Sequence, residues 1–209
     1  MNNKVIFGRP KIRFGNVWAF TSRMVLYGIE NNLNEVYLSS RSRKVDKIKE
    51  MWGCFDTNNI ELKIVDEEIT TGSRYGVPEH NGPYAKTKKQ WKEGKYKKIC
   101  YQLKTDSKKK EKAFKGDIDN FIKRIDDLGI ETFSLGLPLS ISDNIKIASE
   151  CDMFIGICSG MTHVCYSVGI PVYIQNWKKL KHYHPGKKYI TFENEENIFK
   201  IIRKKYGDV

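Results

Sequence analysis

The stretch Glu150–Asn176, ECDMFIGICSGMTHVCYSVGIPVYIQN, constrains the fold of this chain more than any other part of the sequence. Its short apolar run Met153–Ile157 is typical of a strand that is covered on both faces in a parallel sheet. Ser159 is a good N-cap for a helix over Met161–Val168, and a glycine follows that helix. Because Ile170–Ile174 has the pattern of another strand, the stretch predicts a β-turn-α-β unit.

The turn Cys158-Ser159-Gly160 between the predicted strand and helix has the composition of an anion-binding loop. Gly160 has no side chain, so a backbone segment or a ligand can approach it closely. The first N–H groups of a helix have no acceptor within the helix, and the helix dipole favours negative charge at this end. We therefore expect the turn to bind a phosphate or carboxylate group.

This stretch resembles the C-terminal donor-site signature of the ADP-heptose heptosyltransferase family of GT-B glycosyltransferases, commonly written DSGPMHLAAALGKPVV. The two sequences align without a gap; Cys158 replaces the family's Asp, and Met161-Thr162 replace its Pro-Met. The matching positions are Ser159, Gly160, His163, Gly169 and Pro171. The resemblance implies that the diphosphate and nucleotide of a sugar donor bind at Ser159, Gly160, Met161, Thr162 and His163.

Length and composition predict a soluble globular chain. The chain has 209 residues, 40% of them hydrophobic, and it contains no apolar run approaching the roughly twenty residues of a membrane span. Its N-terminus lacks the apolar core of a secretory signal, so a cytoplasmic location is expected. Five cysteines without a C-x-x-C pair favour reduced thiols over a zinc site or a disulfide framework.

The formal net charge of +12 indicates an anionic partner, such as a phosphate-rich ligand, nucleic acid or an acidic membrane. The alternative is that most of the lysines simply solvate the surface.

The remaining sequence predicts an α/β, GT-B-like fold of two small Rossmann-like lobes with mainly parallel sheets. Residues 1–83 form the N-terminal acceptor-side lobe, and residues 84–192 form the nucleotide-sugar-binding lobe. A helix within residues 193–209 is expected to cross back to the first lobe, as the resemblance implies. The predicted strands are 4–7, 35–38, 60–65, 98–103 and 131–134, the helices are 16–31, 44–55, 116–128 and 141–148, and 69–83 is a long loop.

The resemblance extends to Gly15-Asn16-Val17, which is similar to the Gly-Asp-Val at the start of the family's first helix. The family's Asp is the proposed general base, whereas Asn cannot accept a proton at neutral pH; Asn16 is also a possible helix cap. Other candidates for the base are Glu79, His80 and the acidic cluster Asp66–Glu68. By the same resemblance, further donor contacts are Thr105, Ser107, Lys112 and Gly136.

These features predict a glycosyltransferase that moves a sugar from a nucleotide-diphosphate sugar to an acceptor hydroxyl without a metal or another cofactor. The compact, basic chain favours a hydroxymethylated base in DNA as the acceptor. Small bacteriophage glycosyltransferases act on such DNA. Transfer to a lipopolysaccharide or other surface glycan stays open. So does a non-catalytic protein that binds a nucleotide sugar or nucleic acid.

Overall fold

The structure, a computed structural model, divides the chain into two compact units, residues 1–88 and residues 89–209. The described residues are 5–8, 14–42, 44–68, 71–72, 84–94, 96–104, 114–176 and 189–207; in the segments 14–16 and 71–72 the description covers the backbone alone.

The first unit is a four-stranded parallel sheet with the strand order β3-β2-β1-β4. Its helices bury large apolar side chains, and the rings of Trp18 and Phe55 lie 4.5 Å apart in this core. The elements are β1 (Ile6–Gly8), α1 (Phe14–Glu30), β2 (Glu35–Ser39), α2 (Val45–Trp52), β3 (Glu61–Val65) and β4 (Thr71–Gly72).

The second unit is a five-stranded parallel sheet with the strand order β6-β5-β7-β8-β9. Its strands are β5 (Lys98–Gln102), β6 (Glu131–Ser134), β7 (Met153–Gly156), β8 (Val172–Gln175) and β9 (Ile190–Phe192). Its helices are α3 (Ile118–Asp126), α4 (Ile141–Ser149), α5 (Gly160–Val168) and α6 (Glu195–Tyr206).

Helices cover both faces of the second sheet. Successive strand residues point to opposite faces, and on β5 both Ile99 and Cys100 are fully buried. Ile99 belongs to the apolar core that includes Phe121 of α3 and Phe199 of α6. Cys100 lies on the other face, where its thiol interacts with that of Cys165 on α5. Burial raises the pKa of the Cys100 thiol well above its usual range, which suits a reduced core side chain.

The α/β fold with two Rossmann-like units and parallel sheets confirms the fold class predicted from the sequence. The unit boundary differs by five residues from the one predicted, because residues 84–88 pair with the first unit. Asp56 donates its backbone N–H to Lys86 O at 2.9 Å, and Lys88 donates to Cys54 O at 2.9 Å. The backbone N–H of Ala85 donates to Ser22 Oγ at 2.7 Å.

The C-terminal helix α6, which the sequence analysis expected to return to the first lobe, packs on the second unit. Ile198, Phe199 and Ile202 are buried in the core of that unit. The guanidinium of Arg124 on α3 lies 3.9 Å from the centre of the Phe199 ring, and it pairs with Glu195 and Glu196 at the start of α6. An amphipathic helix has one apolar face, and here α3 and the sheet cover it.

Two strands were absent from the sequence prediction. β4 lies inside the predicted loop 69–83 and pairs with β1 through Phe7 and Thr71. β9 pairs with β8 through Ile174 and Thr191, beyond the last predicted strand. Both strands have three residues or fewer, and such short runs give too few positions for an alternating pattern.

Candidate functional site

The second sheet has a topological switch point between its neighbouring strands β5 and β7. From β5 the chain continues to β6 on one side, whereas β7, β8 and β9 extend the sheet on the other side. In open α/β sheets, ligands bind in the crevice outside the carboxyl ends of the strands at this point. The carboxyl ends here are Gln102 of β5 and Gly156 of β7, which are paired in the sheet.

The turn from β7 to α5 lies at this crevice and has the predicted geometry, with Ser159 as N-cap and Gly160 as the first helical residue. Thr162 holds the turn together from inside the helix. Its hydroxyl donates to Ile157 O at 3.2 Å and accepts from the backbone N–H of Ser159 at 3.4 Å. Thr162 is fully buried, so its side chain fixes the turn while the first N–H groups of α5 point out of the helix end.

The side chains of the turn divide into an open part and a buried part. Ser159 and Gly160 are partly exposed, so they are the residues that a ligand can reach directly. Met161 and His163 are both only 5% exposed. The His163 ring lies edge-on to the ring of Tyr166, one turn along α5, with 6.5 Å between the ring centres. The resemblance implied ligand contacts for all of these positions except Tyr166, and the structure buries Met161 and His163.

A second loop at the same edge of the sheet follows β6 and is fixed by Asn144 of α4. The Asn144 side-chain oxygen accepts the backbone N–H of Gly136 at 2.7 Å. Its amide nitrogen lies 2.8 Å from Ser140 O and 3.3 Å from both Gly136 O and Leu139 O. Asn144 is 3% exposed. This buried amide therefore holds the loop in one conformation, with the side chain of Leu137 at its tip 88% exposed.

Gly136, one of the predicted donor-site residues, has a backbone conformation that favours glycine, with φ at +116°. A Cβ atom at this position would also lie 2.8 Å from Nε2 of Gln102. The amide of Gln102 thus occupies the space beside Gly136. Gln102 ends β5 and Gly136 follows β6, its neighbour in the sheet.

We expect Gly136→Ala to lower the free energy of unfolding by about 1–3 kcal/mol, because a non-glycine residue at this φ is strained. Thermal unfolding of the variant checks this. Gly129→Ala is a matched control with a positive φ of +66° and nothing within 4 Å of the added Cβ. If Gly136→Ala lost no more stability than Gly129→Ala, the packing of Gln102 against this loop would be contradicted.

Gln175, at the end of β8, binds the backbone of Lys115, which lies between the Lys-rich segment after β5 and the start of α3. Its side-chain oxygen accepts the N–H of Lys115 at 2.7 Å, and its nitrogen lies 3.4 Å from Lys115 O and from Glu193 O. Gln175 is 3% exposed. Phe114, next to Lys115, is buried in the core, so the Lys-rich segment ends at a fixed point on the sheet.

Several predicted site residues lie outside the described part of the chain: Glu79, His80, Thr105, Ser107 and Lys112. For Asn16 only the backbone is described. It lies in the first turn of α1, which begins at Phe14, so the interpretation of Asn16 as an N-cap is wrong. The apolar pattern of a helix predicts which face is buried more reliably than it predicts the first helical residue.

Asp66, the first residue of the acidic cluster after β3, is a weak candidate for a general base. Asp66 is largely exposed and pairs with Arg41 at 3.0 Å. The hydrogen bond from Arg41 lowers the pKa of this carboxyl, which makes it a poorer proton acceptor. Among the described residues, no three His, Cys, Asp or Glu side chains are grouped to hold a metal ion.

Gln102 and Asn144 are not among the site residues predicted from the sequence. The sequence pattern could have indicated Asn144, because this polar residue lies in the buried stripe of the predicted helix between Ile141 and Ala148. A polar residue in an apolar stripe usually has a hydrogen-bonding role. For Gln102, the only such feature in the sequence is its place at the end of an apolar strand.

The fold is shared with solved glycosyltransferase structures. The dodecameric, iron-containing glycosyltransferase TibC from enterotoxigenic E. coli H10407 superposes with a TM-score of 0.63 at 10% sequence identity, covering 91% of this chain and 62% of TibC. A second structure, of heptosyltransferase TibC in complex with ADP-D-beta-D-heptose, gives 0.63 at 11% identity with the same coverage. This chain therefore spans less than two thirds of the length of TibC.

A glycosyl transferase family 9 structure from Veillonella parvula DSM 2008 gives a TM-score of 0.55 at 9% identity, covering 98% of this chain and 92% of that protein. No protein-family model and no curated protein matches the sequence. At these identities the comparisons show that this chain shares the α/β fold of these structures. Within the described residues, no helix has both the length and the apolar character needed to cross a membrane.

Proposed function

We propose that the chain is a glycosyltransferase that uses a nucleotide-diphosphate sugar as donor. The observation that carries this proposal is the place of the signature. The ungapped match to the donor motif falls on the turn before α5, at the switch point of the second sheet. Fold similarity to TibC, which binds ADP-heptose, adds support that is independent of that motif.

The chemistry follows from the charge that the leaving group acquires. A nucleotide diphosphate gains negative charge as its bond to the anomeric carbon breaks. The first N–H groups of α5, at Gly160 and Met161, form a fixed positive end for that charge. Such dipoles need no reorganisation during the reaction because the buried hydroxyl of Thr162 already holds the turn.

Donor hydrolysis tests this function directly. The chain is incubated with ADP-heptose and a panel of UDP, GDP and ADP hexoses, and the released nucleoside diphosphate is measured. Slow release from one class of donor is expected in water alone, since water replaces the acceptor. Donor binding without release would favour the alternative of a non-catalytic nucleotide-sugar binder, and the lack of both would contradict the proposal.

For the acceptor we propose a hydroxymethylated base in DNA, supported by the net charge of +12. Mass spectrometry of hydroxymethylated and unmodified DNA after incubation with an active donor tests this. A mass gain confined to the hydroxymethylated DNA is expected. Transfer to a lipopolysaccharide acceptor in parallel reactions, with no gain on DNA, would favour the surface-glycan alternative.

We also propose that transfer needs no metal or other cofactor, because the helix dipole and lysines can neutralise the diphosphate. Activity should therefore survive exhaustive chelation. Loss of activity that added iron or magnesium restores would contradict this.

A further inference from the structure

Gln102 is a polar residue at the carboxyl edge of the second sheet. It is the last residue of β5, directly beside the switch point, and its carbonyl oxygen accepts the N–H of Ile157 at 3.2 Å. Side chains two apart on a strand share a face, so Gln102 lies on the same face as Cys100, the face that α5 covers. The start of α5 and the side chain of Gln102 thus lie on the same face of the sheet.

The side-chain oxygen of Gln102 is buried and has no hydrogen bond. Elsewhere in this unit the buried amides of Asn144 and Gln175 are fully engaged with backbone groups. A buried carbonyl oxygen without a donor is costly, and natural proteins keep very few of them. The contrast within one unit indicates that Gln102 is retained for something other than stability.

The amide of Gln102 can reach a ligand without any backbone movement. The residue as a whole is partly exposed, although its oxygen is buried. The terminal torsion of a glutamine side chain is broad, so rotation that exchanges the amide oxygen and nitrogen can bring the oxygen to the open side. Gly136 has no Cβ to restrict the amide on the neighbouring loop.

We infer that Gln102 is a specificity-determining residue that accepts a hydrogen bond from a hydroxyl or amino group of the nucleotide sugar. Phosphate oxygens are acceptors and cannot satisfy a carbonyl oxygen, so the partner is a group next to the diphosphate and not the diphosphate itself. The diphosphate would occupy the N-terminus of α5, and Gln102 would accept from the nucleoside or from the sugar beside it.

The test combines donor affinity with thermal stability in Gln102→Leu. We expect the dissociation constant of the preferred donor to rise about 3- to 10-fold. We also expect the melting temperature to stay unchanged or to rise by roughly 2–4 °C, because the unsatisfied oxygen is removed. Gln90→Leu is the matched control: Gln90 donates to Ser167 O at 2.9 Å, so its loss should lower the melting temperature without changing affinity.

Titration with the nucleoside diphosphate lacking its sugar distinguishes the two sources of the donor group. An equal loss of affinity for both ligands assigns the hydrogen bond to the nucleoside, and a loss confined to the nucleotide sugar assigns it to the sugar. Because the ligand is the donor of the proposed function, a wild-type chain that binds no nucleotide sugar overturns both ideas. Normal donor binding by wild type and by Gln102→Leu alike, or a clear fall in the melting temperature of that variant, overturns this inference alone.

Discussion

Asp152→Ala is expected to lower the free energy of unfolding of the second unit by about 3–5 kcal/mol. Asp152 is fully buried between the end of α4 and the start of β7. Its carboxylate accepts the backbone N–H groups of Tyr96 at 3.1 Å and of Lys98 at 3.3 Å, and the hydroxyl of Tyr206 at 2.8 Å. Alanine would leave three donors without their acceptor. Urea unfolding of wild type and variant measures the difference.

Tyr206→Phe is the graded control for Asp152→Ala. It removes one of the three hydrogen bonds and should cost only about 1 kcal/mol. Burial raises the pKa of the Tyr206 phenol, and the hydrogen bond to Asp152 raises it further, so the neutral phenol is the donor at neutral pH. In the Asp152→Ala background the Tyr206 change should cost less, since the two groups are coupled. Equal destabilisation by the two single variants would contradict the role given to Asp152.

His163→Ala is expected to reduce the rate of nucleoside diphosphate release from the donor about 100-fold, a loss typical of removing one group that faces developing charge. The residue is 5% exposed on the first turns of α5, next to the turn at which we propose that the diphosphate binds. Steady-state release of the nucleotide from the active donor measures this effect.

Ser167→Ala is the matched control for His163→Ala. Ser167 is a buried polar residue one turn further along the same helix, 2% exposed and away from the N-terminal end. Its replacement should change stability more than the rate of donor cleavage. Unchanged release by a folded His163→Ala protein would show that the histidine is only a core residue, which is the alternative reading of its burial.

The parts of the fold that the sequence predicted are those in which one pattern dominates. The run Met153–Ile157 is apolar throughout, which predicted the strand before α5. Gly169 predicted the end of α5, and it has the left-handed conformation of a helix end, with φ at +86°. The strand predicted at Ile170–Ile174 lies at Val172–Gln175 in the structure. Pro171 has no N–H to donate, so it precedes the strand.

The parts of the site that the sequence missed depend on contacts between distant segments. Asn144 binds the loop after β6, Gln175 binds Lys115 across sixty positions of sequence, and Gln102 lies beside Gly136 through the pairing of β5 with β6. Asparagine and glutamine do not recur with a helix or strand period, so the sequence does not show which backbone groups their side chains bind. The strand order of the folded sheet is needed for that. The motif thus located the turn, whereas the topology located its surroundings.

The position of α6 also sets the order in which the second unit can be completed. Phe199 fills the core, and Tyr206 closes the hydrogen bonds around Asp152. During synthesis, β5 to β9 emerge before either residue, and the sheet then exposes an apolar face between α3 and the missing helix. The core of the second unit is therefore closed only after residue 206 has left the ribosome, whereas the whole of the first compact unit, residues 1–88, is synthesised earlier.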